Sequence, residues 1–166
     1  MAEKEQVVKE KITYSGVFDF KGFYACAHKW LQNESYGLTE DKYSEKVAGN
    51  AKDIVIEWTA SKKLSDYFKI EIKVKFDIAE LSEVELEIDG KKKKANKGKV
   101  DVDIKGNLIR DPDSKWEETP VWRFLRDTYN KYVIPKRAED IGDKVDGSVK
   151  DFKEELKAYL DLLGKR

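Results

Sequence analysis

From Tyr67 to Ile78, apolar and charged side chains alternate without a break. Phe68, Ile70, Ile72, Val74, Phe76 and Ile78 hold one parity, and Lys69, Glu71, Lys73, Lys75 and Asp77 hold the other. A period of two places these sets on opposite faces of a β-strand, whereas a helix would scatter both around its circumference. One wet face and one dry face is the pattern of an antiparallel sheet that covers a core on one side. The rest of the chain must therefore supply partner strands and something apolar to lay on the dry face.

Partner strands are legible on both sides. Within Gln6–Phe18, Val8, Ile12, Tyr14 and Phe18 share a face opposite Lys9, Lys11, Thr13 and Ser15. Ile54, Ile56, Trp58 and Ala60 alternate with Val55, Glu57 and Thr59, and Tyr43–Val47 is a weaker candidate. Val84, Leu86 and Ile88 form a strand closed by Asp89-Gly90, the strongest hairpin signal in the chain. Its return runs through Lys91–Lys94, loosens near Asn96 and Gly98, and resumes with Val100, Val102 and Ile104. Ala79–Ser82 keeps the parity of its flanks and reads as a turn or a bulged continuation. Gly106-Asn107 and Asp111-Pro112-Asp113 mark the expected end of the sheet.

The apolar cover comes from helical patterns. Asp19 stands at an N-cap position before Phe20, Phe23, Tyr24, Ala27, Trp30 and Leu31, and Gly37 is the expected stop. Thr119-Pro120 opens a second pattern through Val121, Trp122, Leu125, Tyr129, Tyr132 and Val133, and Pro135 must break or kink it. A terminal stretch then carries Ile141, Val145, Val149, Phe152, Leu156, Leu160 and Leu163 at steps of three and four. Gly142 and Gly147 cost that helix about 1 kcal/mol each relative to Ala, so docking has to hold it.

The expectation is a single α+β domain spanning residues 1–166, a length that can bury a core. It has a curved antiparallel sheet of about five to seven strands, one helix after the first strand, and a long, Pro-kinked C-terminal helical segment. This order of elements resembles the helix-grip (START-like) architecture, in which a curved sheet wraps around the last helix. The stretches YSGVFDF, WEETPVWRFLRDTYNKY and DGKKKK resemble a group of short uncharacterised archaeal proteins. That resemblance implies no activity. High Lys and Glu with a single Cys and a single Met also match the composition of proteins from hot environments.

Charge is balanced at 33 basic and 33 acidic residues, so no global field draws the chain to nucleic acid or anionic lipid. The expectation is no nucleic-acid partner and no membrane span, since no stretch approaches the ~18 apolar residues a membrane helix needs. One cysteine cannot close an internal disulfide, and MAEKEQVVKEK has no apolar signal core, which makes the cytoplasm the expected compartment.

Few residues invite chemistry. His28 is the only histidine, and no second ligand at metal spacing accompanies it. Cys26 lies two residues away, hence on another side of the helix, which argues against a Cys/His nucleophile pair. With Asp89-Gly90 as a two-residue turn, Ile88 to Lys91, Glu87 to Lys92, Leu86 to Lys93 and Glu85 to Lys94 become cross-strand pairs. Two lysines then face glutamates, and the Lys91–Lys94 run reads as a solvated edge rather than a phosphate site. Arg123, Arg126, Lys131, Lys136 and Arg137 are interleaved with Glu117, Glu118, Asp127, Glu139 and Asp140, the pattern of a salt-bridged helix face. No P-loop, GxGxxG, GxSxG, HExxH or CxxC occurs, so the sequence carries no enzyme motif and implies no cofactor or metal.

The functional expectation is a binding module that holds an apolar small molecule or lipid between the sheet and the C-terminal helix. Trp58, Phe68, Ile70, Ile72, Val74, Phe152, Leu156 and Tyr159 would line the site, with Tyr14 as a polar contact. The competing reading is an assembly module that pairs with a protein partner or a second copy through the terminal helix or a sheet edge.

Overall fold

The computed structural model describes residues 3–65, 67–110, 120, 121, 124, 125, 128 and 134–164. The elements are β1 (Glu3–Phe18), α1 (Phe20–Asn33), β2 (Gly37–Ala48), β3 (Ala51–Lys63), β4 (Phe68–Ile88), β5 (Lys91–Arg110) and α2 (Ile134–Gly164). The protein is α+β, with an open, fully antiparallel five-stranded sheet in the order β1-β5-β4-β3-β2. Strands β2 to β5 form a meander. β1 lies at the far edge beside β5, so α1 must carry the chain from one edge of the sheet to the other.

Local chemistry sets the turns. Asp89 (φ 52°) and Gly90 (φ 78°) are both left-handed, the conformation a two-residue hairpin favours. The register pairs Ile88 with Lys91, Glu87 with Lys92, Leu86 with Lys93 and Glu85 with Lys94, as the turn implied. Gly49 (φ 63°) with Asn50 makes the two-residue turn between β2 and β3, with the glycine alone left-handed.

The ambiguous Ala79–Ser82 stretch is a bulge inside β4, which runs unbroken for 21 residues. Glu80 takes φ 56° there, and its backbone N–H donates to Asp53 Oδ1 at 3.0 Å. Across from it, a Cβ on Gly98 would stand 3.0 Å from the Ala79 carbonyl oxygen, so the loosening near Gly98 is a close backbone approach.

Several boundaries differ from expectation. α1 ends at Asn33 and not at Gly37, which is the first residue of β2. The left-handed residue is Ser35 (φ 67°), closed by Tyr36 N–H to Leu31 O and Ser35 N–H to Gln32 O, both 3.0 Å. Gly106-Asn107 does not end the sheet, because β5 continues to Arg110. Gly106 is required by packing instead. A Cβ there would meet Val8 and Val145 at 2.7 Å and Val149 at 2.9 Å, so the glycine lets α2 settle onto the sheet. The weak strand at Tyr43–Val47 is the middle of β2, whose alternation is blurred by a bulge between Glu40 and Lys42 and by exposure of nearly every residue.

The two helices share the inner face. α2 lies over β1 and β5 and buries Val145, Val149, Phe152, Leu156 and Leu160. α1 covers β3 and β4: Phe23 meets Phe76 edge-on at 5.8 Å, and Tyr24 meets Trp58 at 5.1 Å. Pro135 follows Ile134, the first described residue of α2. Glu10, which shares the parity of Val8 and Ile12, is matched on the inner face by Lys153 of α2 at 3.0 Å. Pro120, Val121, Phe124, Leu125 and Thr128 are helical. Trp116, Trp122, Arg123, Arg126, Tyr129, Lys131, Tyr132, Val133 and the Asp111-Pro112-Asp113 turn lie outside the described residues.

Candidate ligand-binding groove

The residues expected to line a site form the core. Trp58, Phe68, Ile70, Ile72, Val74, Phe152 and Leu156 are all buried, at most 2% exposed. All but Phe68 belong to one packed cluster, and Phe68 packs in a smaller one with Tyr67 and Leu108. The space between Trp58 and the helices is occupied by Phe23, Tyr24 and Phe76. Tyr14 and Tyr159 are half-buried and pack against the edge of the same cluster. Tyr14 donates to the Val17 carbonyl at 2.7 Å and borders a cleft of about 220 Å³ with Lys153 and Lys157. Burial, with Asp161 nearby, raises its phenol.

A broad opening lies where α1 begins. A groove of about 680 Å³ runs between the first turn of α1, the β2–β3 hairpin and the bulged part of β4 and β5. Phe20 borders it, the buried side chains of Ile54, Leu81 and Ala95 form its floor, Tyr43 stands on one wall, and Asn50, Asn96, Lys21, Lys52, Lys94, Glu45 and Glu83 supply polar groups. It exists because α1 starts at Phe20 and cannot cover the sheet beyond its own first turn. The bulge then brings Leu81 inward, opposite Lys52 of β3.

Its polar groups are positioned by long-range contacts. Register sets Asn96 opposite Phe18, the last residue of β1, and its Oδ1 accepts from Phe20 N–H at 3.1 Å. Asp19 occupies the cap position without a side-chain cap, and Asn96 from β5 takes over that work. The Asp19 carboxylate instead accepts from the Tyr159 hydroxyl at 3.3 Å. Gly22 makes this fit, because a Cβ there would land on that hydroxyl. Burial, followed by the Asp19 charge and hydrogen bond, raises the Tyr159 phenol. Lys52 pairs with Glu45 at 3.0 Å across the hairpin, and this bond raises its ammonium pKa. Asp19, Lys94 and Ala95 also border a neighbouring slot of about 180 Å³ with Leu86, Tyr159 and Leu162.

A second polar cluster sits between α1 and the β2 bulge. Tyr24 Oη donates to Glu40 Oε1 at 2.9 Å and Trp58 Nε1 to the same oxygen at 3.3 Å. Burial, then the Glu40 hydrogen bond and charge, pushes the Tyr24 phenol up to about 12. His28 stacks on Tyr24 with ring centroids 6.4 Å apart and turns its edge to Trp58. Cys26 is half-buried, and its thiol is raised by burial and then by Glu155. A protonated thiol on the side of α1 that faces α2 is a poor nucleophile, and His28 points away from it.

No group of three or more His, Cys, Asp or Glu residues able to hold a metal ion occurs among the described residues. No described helix is long and apolar enough to cross a membrane. No family model, curated protein or solved structure was found to match the chain.

Sequence reasoning missed the groove because its parts come from five separate elements. The only local traces were the loosening at Asn96 and Gly98 and the ambiguous parity of Ala79–Ser82.

Proposed function

We propose that this protein is a cytoplasmic binding module that holds an apolar small molecule or lipid at the end of the sheet that the helices leave uncovered. One observation carries this reading. The 680 Å³ groove has Phe20 and a floor of buried Ile54, Leu81 and Ala95 beneath nine polar or charged side chains, and that apolar floor is where such a ligand would rest. The arrangement of elements supports it: β1 lies beside β5, α1 follows β1, and the terminal helix packs on the same face of the sheet. None of the expected lining residues, Trp58, Phe68, Ile70, Ile72, Val74, Phe152 and Leu156, borders this groove, which takes their place as the candidate site.

The test is titration of an environment-sensitive apolar dye against the folded protein and against Leu81→Trp, which fills the groove. Saturable uptake by the parent and its loss in the variant, with circular dichroism unchanged, is the expected result. No saturable uptake by the folded parent would sink the reading. The assembly alternative has one observation of its own, the open β2 edge, where Tyr43 and Val47 are 48% and 65% exposed. Concentration-dependent sedimentation that Val47→Lys abolishes would move the conclusion there.

A further inference from the structure

The outer face of the sheet carries cross-strand rows with different charge patterns. One row runs Lys11, Asp103, Lys75, Glu57 and Lys42 across β1, β5, β4, β3 and β2, alternating in sign as facing residues should. The adjacent row is Lys9, Lys105 and Lys73, three lysines directly opposite one another on neighbouring strands. All three are exposed, and no ion pair among the described residues engages them. Like charges facing across a ladder are destabilising, so the row works against the fold it sits on. Local rules broken without a structural return mark functional surface. Acidic neighbours lie on either side: Glu71 is held by Lys4 at 2.6 Å, and Asp77 and Asp101 stand two pairs along, with Asp101 accepting from Thr13 at 3.1 Å. Both helices are on the opposite face, which leaves the lysines open to a flat partner.

We propose that this face docks on anionic membranes, through Lys9, Lys73 and Lys105 with Lys11 and Lys75 beside them. The chemistry of the patch selects that partner. It has lysine and no arginine, hence diffuse charge attraction rather than bidentate grip on a single phosphate. No aromatic side chain interrupts these rows, so nothing stacks on bases. Lys9, Lys105 and Lys73 form a row across three strands, and in the next row Asp103 stands between Lys11 and Lys75, so the patch offers a flat face to a surface rather than a basic groove to a nucleic-acid strand. A net charge of zero keeps long-range attraction small, so binding depends on this face being presented.

The test is co-sedimentation with vesicles of phosphatidylcholine alone and of phosphatidylcholine mixed with phosphatidylserine, at low and at physiological salt. Binding to the mixed vesicles only, weakened by salt, is expected. Lys9→Gln, Lys73→Gln and Lys105→Gln together should weaken it about a hundredfold, at about fivefold per lysine, while the melting temperature holds or rises as repulsion is relieved. Replacing Lys91 and Lys92 by Gln should change little. Equal binding to both vesicle types, or an unchanged triple variant, would overturn the proposal. So would lysine-dependent binding to duplex DNA that is tighter than binding to the vesicles.

Discussion

The inner face of the sheet has two ends made of the same kind of residue and put to different use. At the covered end, Trp58, Phe76 and Ile72 alternate with charged neighbours and disappear beneath Phe23, Tyr24 and Phe152. At the other, Ile54, Leu81 and Ala95 continue the same faces and border a groove. The strand pattern does not distinguish them. What differs is where the helices stop. An apolar strand face is thus a necessary condition for a core and also for a site, and the length and placement of the covering helix decide between the two.

The sharpest way to break the comparison is truncation at each end. Trp58→Ala should cost about 3–5 kcal/mol, because neighbours on β4 and α1 cannot collapse into the space, whereas Leu81→Ala at the groove wall should cost about 2 kcal/mol. Chemical denaturation of both variants checks this, and equal losses would mean that the groove end is as tightly packed as the core. Gly106→Ala tests the covered end from the opposite direction. The added methyl meets Val8, Val145 and Val149, so a loss of about 1–3 kcal/mol is expected, with α2 displaced.

Gly90→Val probes a turn outside both ends. Nothing lies within 4 Å of the new Cβ, so the roughly 1 kcal/mol or more expected comes from the left-handed backbone alone. An unchanged melting temperature would contradict that account. The acid limb of stability supplies a smaller effect. Burial raises the Glu71 carboxyl, yet Lys4 and Asn107 outweigh it and leave its pKa below the ordinary value. A lowered carboxylate contributes stability above its unfolded pKa, about 4.3, and loses it as pH falls through the folded value. Glu71→Gln should therefore lower the melting temperature at pH 7 and flatten its fall below about pH 4.3. The smallest expected change is a gain: Ser35→Gly relieves φ 67° at the end of α1 and should add about 0.5–1 kcal/mol.

Short-range chemistry was legible from residues alone. The alternation over Tyr67–Ile78 named the buried face of β4, Asp89-Gly90 named its hairpin register, and the three–four spacing of Val145 to Leu160 named the buried stripe of α2. Each depends on neighbours a few positions apart, where backbone geometry leaves little choice. Tertiary structure decided the rest. The sequence offered the Trp58 face a long terminal helix, but α1 reached it first, because a chain leaving the β1 edge and returning at the β2 edge must cross the inner face. Gly106 looked like a terminator and is a seat for α2, and Glu10 on the apolar face of β1 is met by Lys153 of α2. The cap of α1 comes from Asn96, 76 positions from the N–H it accepts. Such pairings are fixed by the register between distant strands and by which helix occupies a face, and no local periodicity encodes either.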